Sequence, residues 1–408
     1  MSVDDLPDSP RLLSFEFLAL CLVIVAAFCN VSVFYGFYHY LGTIGIPVGW
    51  RGFLVGLEPM SAFILRLFVL PWLHVRNAFS VMVASLVLLI VASCSYMGVA
   101  TIPAMIVLRI VHGAAFVLLT SAAIALVVNF IPKEMSGRGF SVLSIATMIP
   151  YAVIPPLAEA LHPYVRNDAD IYAGVSIFAL LAILLLALLR RRIGDALRGM
   201  EGVLLRRPTL PEFRENLRLR AVAFLLGAGL LIYLAHATFF YFMKDLTLKT
   251  GGGDVGIFFT ICMVAMIAVR GLGGVLFDRM NKLTLLQMGL ALLIPCLVLL
   301  PHAGSRAAFY LLAGVYGLCL GIILPLTIAL LFSASPPSLR GLNTNLNLFT
   351  MDVAYFLMPY IGGGLIAFGA GFEILFYGAA GYVALSLALV MILARRQENT
   401  LSRKGVDL

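Results

Sequence analysis

The stretch Arg270–Lys282, RGLGGVLFDRMNK, joins two long apolar runs through a very short turn. It places Gly271, Gly273 and Gly274 beside an acid and three bases. Membrane helices associate by close backbone approach at small residues, which suits these glycines. A cluster of charges at the end of such a helix is tolerated where the helix meets water. The stretch therefore predicts a turn between two membrane helices.

The composition supports the same interpretation for the whole chain. Of the 408 residues, 62% are hydrophobic and 12% are charged, and the mean hydropathy is +1.04. Soluble domains carry about 25% charged residues, so this chain cannot build an ordinary water-exposed surface. About 20 apolar residues span a bilayer as a helix, which places roughly twelve such helices here. No stretch alternates as a β-barrel strand does, so the expected fold class is an all-α membrane protein.

The basic residues and the cysteines point to no other class of protein. The net charge is +8, but most bases lie in loops, where the positive-inside rule accounts for them. We therefore expect no nucleic-acid partner. The cysteines all lie in apolar runs and behave as small hydrophobic residues: Cys21, Cys29, Cys94, Cys262, Cys296 and Cys319. No metal-ligand spacing occurs, and we expect no cofactor and no metal.

The sequence predicts two related halves that are joined by a basic linker. The stretch Arg190–Arg220 contains nine arginines and no lysine, so the positive-inside rule places it, with both termini, in the cytoplasm. We expect the membrane to be the inner membrane of a bacterial cell. Binding of anionic lipids is a compatible role for these arginines. The expected domains are a six-helix bundle over 1–189, the linker 190–218, a second six-helix bundle over 219–394 and a tail over 395–408.

Three anchors relate the two bundles at an offset of about two hundred residues. Each anchor falls at the same place in both halves: Arg66 and Arg270, Gly113 and Gly317, and Arg138-Gly139 and Arg340-Gly341. Two parallel six-helix halves around a site at mid-membrane are typical of transporters that rock between two states.

These motifs resemble those of the major facilitator superfamily of secondary transporters. Arg270–Lys282 matches the family's loop R-x-x-x-G-x-L-x-D-R-x-x-K/R, and Arg109–Gly113 matches the R-x-x-x-G of its fourth helix. The resemblance covers the whole chain and implies twelve helices in two pseudo-symmetric bundles with alternating access. Two features depart from the family pattern. The stretch Ile154–Glu159 lacks the glycines that follow a G-P pair in many proton-driven exporters, and His74 stands where the first-half loop normally has an aspartate.

The missing first-half aspartate leads to a prediction about gating. A negative charge beside a helix N-terminus is stabilised by about 0.3–1 kcal/mol, which His74 cannot supply. We therefore expect the gate to use the second-half copy, with Asp278 against Arg138 and the start of the fifth helix. The expected gate residues are Arg66, Arg138, Arg270, Asp278, Arg279 and Arg340.

Polar residues inside the apolar runs are the candidate substrate and proton sites, because ionisable groups in a bilayer are costly. Glu58 and Arg109 fall at similar depth, which predicts an ion pair; a structural and a transport role both remain open. Asp352 is expected in isolation among apolar groups, and Glu58 and Asp352 are the candidates for proton coupling. Tyr38 and His39 are expected in an interfacial aromatic belt. The full set of candidate cavity residues is Asn30, Tyr35, Glu58, Arg109, His112, Tyr151, Tyr233, His236, Tyr316, Asn347 and Asp352.

Both signs of charge and several aromatic rings favour a medium-sized amphipathic or anionic organic substrate over a free sugar. The favoured function is proton-coupled export of a drug-like or metabolic compound by a monomer in contact with membrane lipids. Uptake of an organic anion and translocation of a lipid are the alternatives. A membrane-embedded enzyme would need a nucleophile–base pair or a metal cluster, and neither G-x-S-x-G nor H-E-x-x-H occurs in the sequence.

Overall fold

A computed structural model describes residues 14–69, 75–127, 130–131, 135–196, 218–272, 280–336 and 339–402. Within these ranges the regular structure is entirely helical. The predicted all-α fold class is therefore confirmed. The loop that contains Asp278 and Arg279 lies outside the described ranges, as does most of the basic linker.

Twelve long helical segments run through the described residues. Segments 1 to 6 are, in order, Phe15–Ser32 with Phe37–Thr43, Val48–Val69, Val75–Ser95, Ile102–Val127, Ser136–Leu161, and Asp168–Gly174 with Ser176–Ala196. Segments 7 to 12 are Arg220–Thr250, Val255–Leu272, Lys282–Leu299, Arg306–Ala334, Arg340–Ala367 and Phe372–Ser402. Segments 1–6 form the first half of the molecule, and segments 7–12 form the second half.

Ten of the segments are long and apolar enough to cross a membrane by themselves. The other two are segment 8, whose apolar part is shorter, and segment 2, which carries Arg51, Glu58 and Arg66. Both of these segments pack between the halves, segment 2 against segment 11 and segment 8 against segment 5. Polar or broken backbone at membrane depth is tolerated where protein rather than lipid surrounds it.

Local sequence explains where several segments begin and end. The side chains of Asn167, Asn281 and Ser305 each accept a hydrogen bond from a backbone N–H of the first helical turn, which satisfies donors that would otherwise be unpaired. Segment 7 ends at Gly251, whose φ of +67° is a left-handed conformation that glycine adopts without strain.

Segment 5 continues as one helix through three prolines. Pro150, Pro155 and Pro156 all lie inside the helix Ser136–Leu161. Pro156 has no N–H, so it leaves the carbonyl of Ala152 without its usual helical partner. The hydroxyl of Thr260 in segment 8 donates to this carbonyl at 2.7 Å. A hydrogen bond from the other half of the molecule thus replaces the one that Pro156 cannot donate.

The two halves repeat one packing scheme. In the first half, segment 1 packs on segments 4, 5 and 6, segment 4 packs on 2 and 3, and segment 3 packs on 6. In the second half, segment 7 packs on 10, 11 and 12, segment 10 packs on 8 and 9, and segment 9 packs on 12. Adding six to each number converts the first scheme into the second.

The seam between the halves is formed by segments 2 and 11, 5 and 8, and 1 and 7. We call the end of the molecule where segment 6 ends and segment 7 begins the linker end, and the opposite end the distal end. At the distal end, a Cβ on Gly52 would lie 2.8 Å from the Cα of Gly363, and one on Gly256 would lie 2.5 Å from the Cα of Pro156. The absence of side chains at these glycines lets the two halves meet backbone to backbone.

Candidate functional site

The predicted ion pair inside the first half is present. The Nη2 of Arg109 in segment 4 lies 3.1 Å from the Oε2 of Glu58 in segment 2, and both side chains are buried. The guanidinium also donates from Nε to the carbonyl of Leu54 at 3.0 Å and from Nη2 to that of Val55 at 2.8 Å. Its carbon lies 4.4 Å from the centre of the Phe37 ring. A buried charge needs such additional partners to offset its desolvation.

A chain of hydrogen bonds runs from this ion pair to segments 1 and 3. Arg109 donates to the hydroxyl of Tyr96 at 3.4 Å, and that hydroxyl lies 3.0 Å from Nδ1 of His112. The Nε2 of His112 contacts the side-chain oxygen of Asn30, whose amide nitrogen donates to Ser93 at 2.7 Å. Each of these contacts pairs a donor with an acceptor if His112 is neutral and carries its proton on Nε2. Asn30 and His112 therefore belong to one polar network within the first half.

In the second half, the predicted candidates form two further groups. The Nδ1 of His236 lies 2.9 Å from the hydroxyl of Tyr316, and the two rings are stacked, with Tyr355 edge-on to the histidine. Separately, the amide of Asn347 donates to the hydroxyl of Tyr233 at 3.3 Å. These contacts join segment 7 to segments 10 and 11.

Aromatic residues from both halves meet where segments 5, 7 and 11 converge. The ring of Tyr151 in segment 5 lies 5.6 Å from that of Phe240 in segment 7. Phe240 in turn packs on Tyr355 in segment 11, as does Tyr241 at 5.9 Å. We call Tyr151, Phe240, Tyr241 and Tyr355 the seam aromatics. Of these four, the sequence singled out Tyr151, since Phe240, Tyr241 and Tyr355 cannot be distinguished from packing residues by pattern.

At the linker end, the halves are joined by an ion pair that the sequence did not predict. The Nε of Arg66 in segment 2 lies 3.1 Å from Oδ2 of Asp352 in segment 11. The expectation that Asp352 is isolated is therefore wrong, because segment 11 turns this carboxylate towards the end of segment 2. The charges touch without the alignment of a hydrogen bond. Close by, Phe63 and Phe349 pack across the same seam at 4.5 Å.

The equivalent arginine of the second half also crosses the seam. Arg270 in segment 8 donates from Nη1 to the hydroxyl of Ser144 in segment 5. Two of the predicted gate residues, Arg66 and Arg270, thus reach the opposite half at the linker end. The remaining gate predictions fall outside the part of the structure that is described: Asp278, Arg279 and the side chains of Arg138 and Arg340.

At the distal end, the structure brings together two charged residues that were not among the predicted site residues. The Nζ of Lys244 in segment 7 lies 3.0 Å from Oε1 of Glu159 in segment 5, which also accepts a hydrogen bond from the hydroxyl of Tyr35 in segment 1. A small cavity beside them is lined by Tyr35, Lys244, Asp168 and Tyr172, among others. A lysine and a glutamate at the ends of apolar runs were the available signal, but their partners lie in distant segments.

One prediction about segment 1, the surface position of Tyr38, is wrong. Tyr38 and His39 were expected in an aromatic belt at the membrane surface, but segment 1 packs on segment 7 here. Tyr38 is buried against Phe242 with ring centres 5.2 Å apart. The Nδ1 of His39 lies 3.3 Å from a carboxylate oxygen of Asp245. Both residues belong to the seam between the halves.

Comparisons with known proteins agree with this architecture. The family model of the Major Facilitator Superfamily matches residues 17–306 and 225–406. The curated relatives include the quinolone resistance protein NorA of Staphylococcus aureus, in strains Mu50 and N315 among others. Each is 24% identical over 167 residues, or 41% of this chain and 42% of the relative. The match thus spans less than half the length of these relatives.

The fold itself is that of a solved transporter. The crystal structure of the nucleoside transporter NupG superposes with a TM-score of 0.74 at 13% sequence identity, over 93% of this chain and 99% of the other. A mutant of the same transporter gives a TM-score of 0.73, over 92% and 99%. At this identity the likeness concerns the fold alone, whereas the family model covers nearly the whole chain. The chain belongs to the Major Facilitator Superfamily.

Proposed function

We propose that this transporter exports a drug-like or metabolic compound that carries an aromatic ring, and that proton entry drives the export. The observation that carries the proposal is the position of the seam aromatics. Segments 5, 7 and 11 contribute these rings from both halves, so a bound ring would contact both halves at once. A substrate can bias the equilibrium between two states only if it binds them with different affinity.

The chemistry of the surrounding residues favours an amphipathic substrate. Aromatic rings offer offset-stacked and edge-on contacts to another ring. The hydroxyls of Tyr151 and Tyr355 and the imidazole of His236 supply polar contacts from the same region. Among the predicted cavity residues, Tyr316 bonds to His236, and Asn347 bonds to Tyr233. We assign Tyr233, Tyr316 and Asn347 to the second-half side of this region.

Proton coupling is assigned to Glu58 and Asp352, the two acids selected from the sequence. Each faces an arginine, Arg109 and Arg66 respectively. A proton on either carboxylate removes its attraction to the arginine, which changes the relative free energies of the two transporter states. The Asp352 pair joins the halves directly, so its loss favours opening at the linker end, where Arg138, Arg270, Asp278, Arg279 and Arg340 complete the proposed gate.

The likeness to a quinolone resistance protein supports export over uptake. We place the protein in a bacterial inner membrane as a monomer, with both termini in the cytoplasm. The excess of arginine between residues 190 and 220 supports this orientation. Uptake of an organic anion and translocation of a lipid remain as outcomes that the following experiment distinguishes.

The test is flux in proteoliposomes that contain an entrapped pH-sensitive dye. A fluorescent quinolone is supplied outside, and the lumen is made acidic. We expect the quinolone to accumulate inside while the dye reports proton efflux, and an uncoupler to abolish both signals. Accumulation of an organic anion or a labelled lipid, with none of the quinolone, would contradict the proposed function and assign an alternative.

The variant Glu58→Gln separates coupling from binding. We expect it to let the quinolone equilibrate across the membrane without accumulating, because the neutral amide still accepts a hydrogen bond from Arg109 but takes up no proton. The matched control is Glu373→Gln, which changes an exposed acid at the distal end. Full gradient-driven accumulation by Glu58→Gln would remove this residue from proton coupling.

A further inference from the structure

Three segments from both halves meet in one contact at the distal end. The Nζ of Lys244 in segment 7 lies 3.0 Å from the carboxylate of Glu159 in segment 5. The same carboxylate accepts a hydrogen bond from the hydroxyl of Tyr35 in segment 1. The Lys244 side chain is only 8% exposed, and that of Glu159 is 21% exposed. The carboxylate is thus held by both halves but still reached by water.

The backbone of segment 1 is shaped to let this lysine pass. The helix changes to a tighter 3₁₀ turn over Val33–Gly36. A Cβ on Gly36 would lie 2.6 Å from Cδ of Lys244, so the lysine stem crosses directly over this glycine. The ammonium of Lys244 lies 5.3 Å from the centre of the Tyr35 ring. Lys244 is therefore confined to the path that leads to Glu159.

Another lysine–glutamate pair at the same end provides a comparison. Lys249 and Glu373 lie 2.8 Å apart, but both belong to the second half and are 53% and 37% exposed. Exposed ion pairs contribute little because water screens them. Their contact also cannot hold the two halves together. The Lys244–Glu159 pair differs on both counts.

We propose that Tyr35, Glu159 and Lys244 form a distal latch that opens when Glu159 takes up a proton from the distal side. The proton binds the carboxylate, which becomes a neutral acid and loses its charge attraction to Lys244. The halves are then held less tightly at this end, and the distal opening widens. When the carboxylate releases its proton, the ion pair forms again and the end closes.

This inference rests on the proposed function in that it supplies an entry site for the coupling proton. It adds a residue at the distal end to Glu58 and Asp352, which lie deeper and nearer the linker end. The latch and the Arg66–Asp352 pair then stand at opposite ends of the seam. A transporter that alternates between two openings needs one such contact to break while the other forms.

Other charged groups lie near the distal latch, and their effect on the distal opening must be compared with that of Glu159. Asp168 of segment 6 lines the cavity next to Lys244 and is paired with His162 at 3.4 Å, and Asp254 starts segment 8 in an exposed position. His39 and Asp245 form a second contact between the halves. A proton on His39 would strengthen its attraction to Asp245 and hold the distal end closed in acid. A proton on Glu159 has the opposite effect, so the two sites are distinguishable.

Distances between spin labels across the distal opening test the latch. Tyr164 in the first half and Phe368 in the second half are 85% and 94% exposed at this end, and each is replaced by a labelled cysteine. The exposed native Cys94 is first replaced by serine. In lipid nanodiscs without substrate, we expect a short distance at pH 8 and an added longer distance at pH 4, because an ion pair with lysine keeps a carboxylate ionised until the pH falls into the ordinary carboxyl range of about 4 or below.

The latch variants should remove this pH dependence. We expect Glu159→Gln to raise the long-distance population at pH 8 about tenfold, which corresponds to a loss of about 1.4 kcal/mol between the halves. Lys244→Gln should have the same effect. Lys249→Gln is the matched control and should behave like the parent protein, and His39→Gln should keep the widening in acid.

Some results would overturn the proposal. They are a Glu159→Gln protein that still widens only in acid, a control that shifts as much as the latch variants, or a pH effect that disappears in His39→Gln. Because no substrate is present, these distances do not depend on the quinolone flux assay. A failed flux experiment would leave the latch standing, and a failed latch would leave the flux result standing.

Discussion

Segments 2 and 4 of the first half and segments 8 and 10 of the second half cross in the same way but bury different chemistry. At the first crossing, a Cβ on Gly113 would collide with the backbone carbonyl of Glu58. At the second, a Cβ on Gly317 would collide with the carbonyl of Cys262. Glycine lets the backbones meet in both halves, as is usual where membrane helices cross closely.

The buried charges, by contrast, occur only at the crossing in the first half. The residues that correspond to Glu58 and Arg109, 204 positions further along the chain, are Cys262 and Ala313. Both are buried. The second half therefore forms the same crossing without an ion pair. The crossing requires the glycine, whereas the cost of burying two charges in the first half must be explained by something other than this packing arrangement.

The variant with the largest expected effect is Arg109→Met, which leaves the Glu58 carboxylate buried without its partner. Breaking a buried ion pair costs about 3–5 kcal/mol. The double variant Glu58→Leu/Arg109→Met removes both charges and should recover most of this loss, since a well-packed apolar replacement is often neutral. Thermal unfolding of the purified proteins in one detergent measures both effects.

The double variant is also the sharper test of the comparison. It should be folded like the parent protein but lose gradient-driven accumulation of the quinolone. If it is as unstable as Arg109→Met alone, the ion pair is part of what holds the first crossing together. The two halves would then differ in how they fold, and not only in what they do.

The next largest effect is expected from alanine at the two crossing glycines. Gly113→Ala and Gly317→Ala each force a methyl group against a backbone carbonyl, and overpacking of this kind costs about 1–3 kcal/mol. The two losses of thermal stability should be similar. Gly378→Ala is the control, because a Cβ at that position would meet no atom within 4 Å. A loss confined to one of the two crossings would show that they are not equivalent.

The smallest effects concern the linker end, where the halves again differ. Arg66→Gln leaves Asp352 unpaired, whereas Arg270→Gln removes only a hydrogen bond to Ser144. We expect quinolone exchange without a pH gradient to change about tenfold in the first variant, which corresponds to about 1.4 kcal/mol. In the second variant we expect a change of about twofold, because a serine hydroxyl finds another partner at less cost than a charge.

Adding Asp352→Asn to Arg66→Gln removes the unpaired charge and supplies the control. Exchange in this double variant should return towards the parent rate. Equal effects of Arg66→Gln and Arg270→Gln would mean that the ion pair contributes no more than the hydrogen bond. The two halves would then contribute equally at the linker end despite their different residues.

Much of the architecture was predictable because it depends on local properties. Helix length and hydropathy can be read along the chain, and so can the repeat of Gly113 at Gly317. The pairing of Glu58 with Arg109 was also predictable, because two opposite charges at equal depth in one bundle have few other ways to be satisfied.

The partners of residues at the seam could not be predicted in this way. Asp352 was expected to be isolated and Tyr38 to lie at the membrane surface, and both expectations were wrong. Depth alone does not say which face of a helix turns towards the opposite half. Lys244 and Glu159 were missed for the same reason, since each is an ordinary charge near a helix end until the other is brought beside it.

By itself, the sequence determined that this protein is helical, lies in a membrane and is built from two related halves, because the cost of exposing backbone and charge to lipid leaves few other solutions. Only the tertiary structure decided which charges join the halves: Arg66 with Asp352, Lys244 with Glu159, and His39 with Asp245. Each of these contacts depends on the rotation of two helices that are remote in sequence and on how the halves dock. No local pattern encodes that geometry.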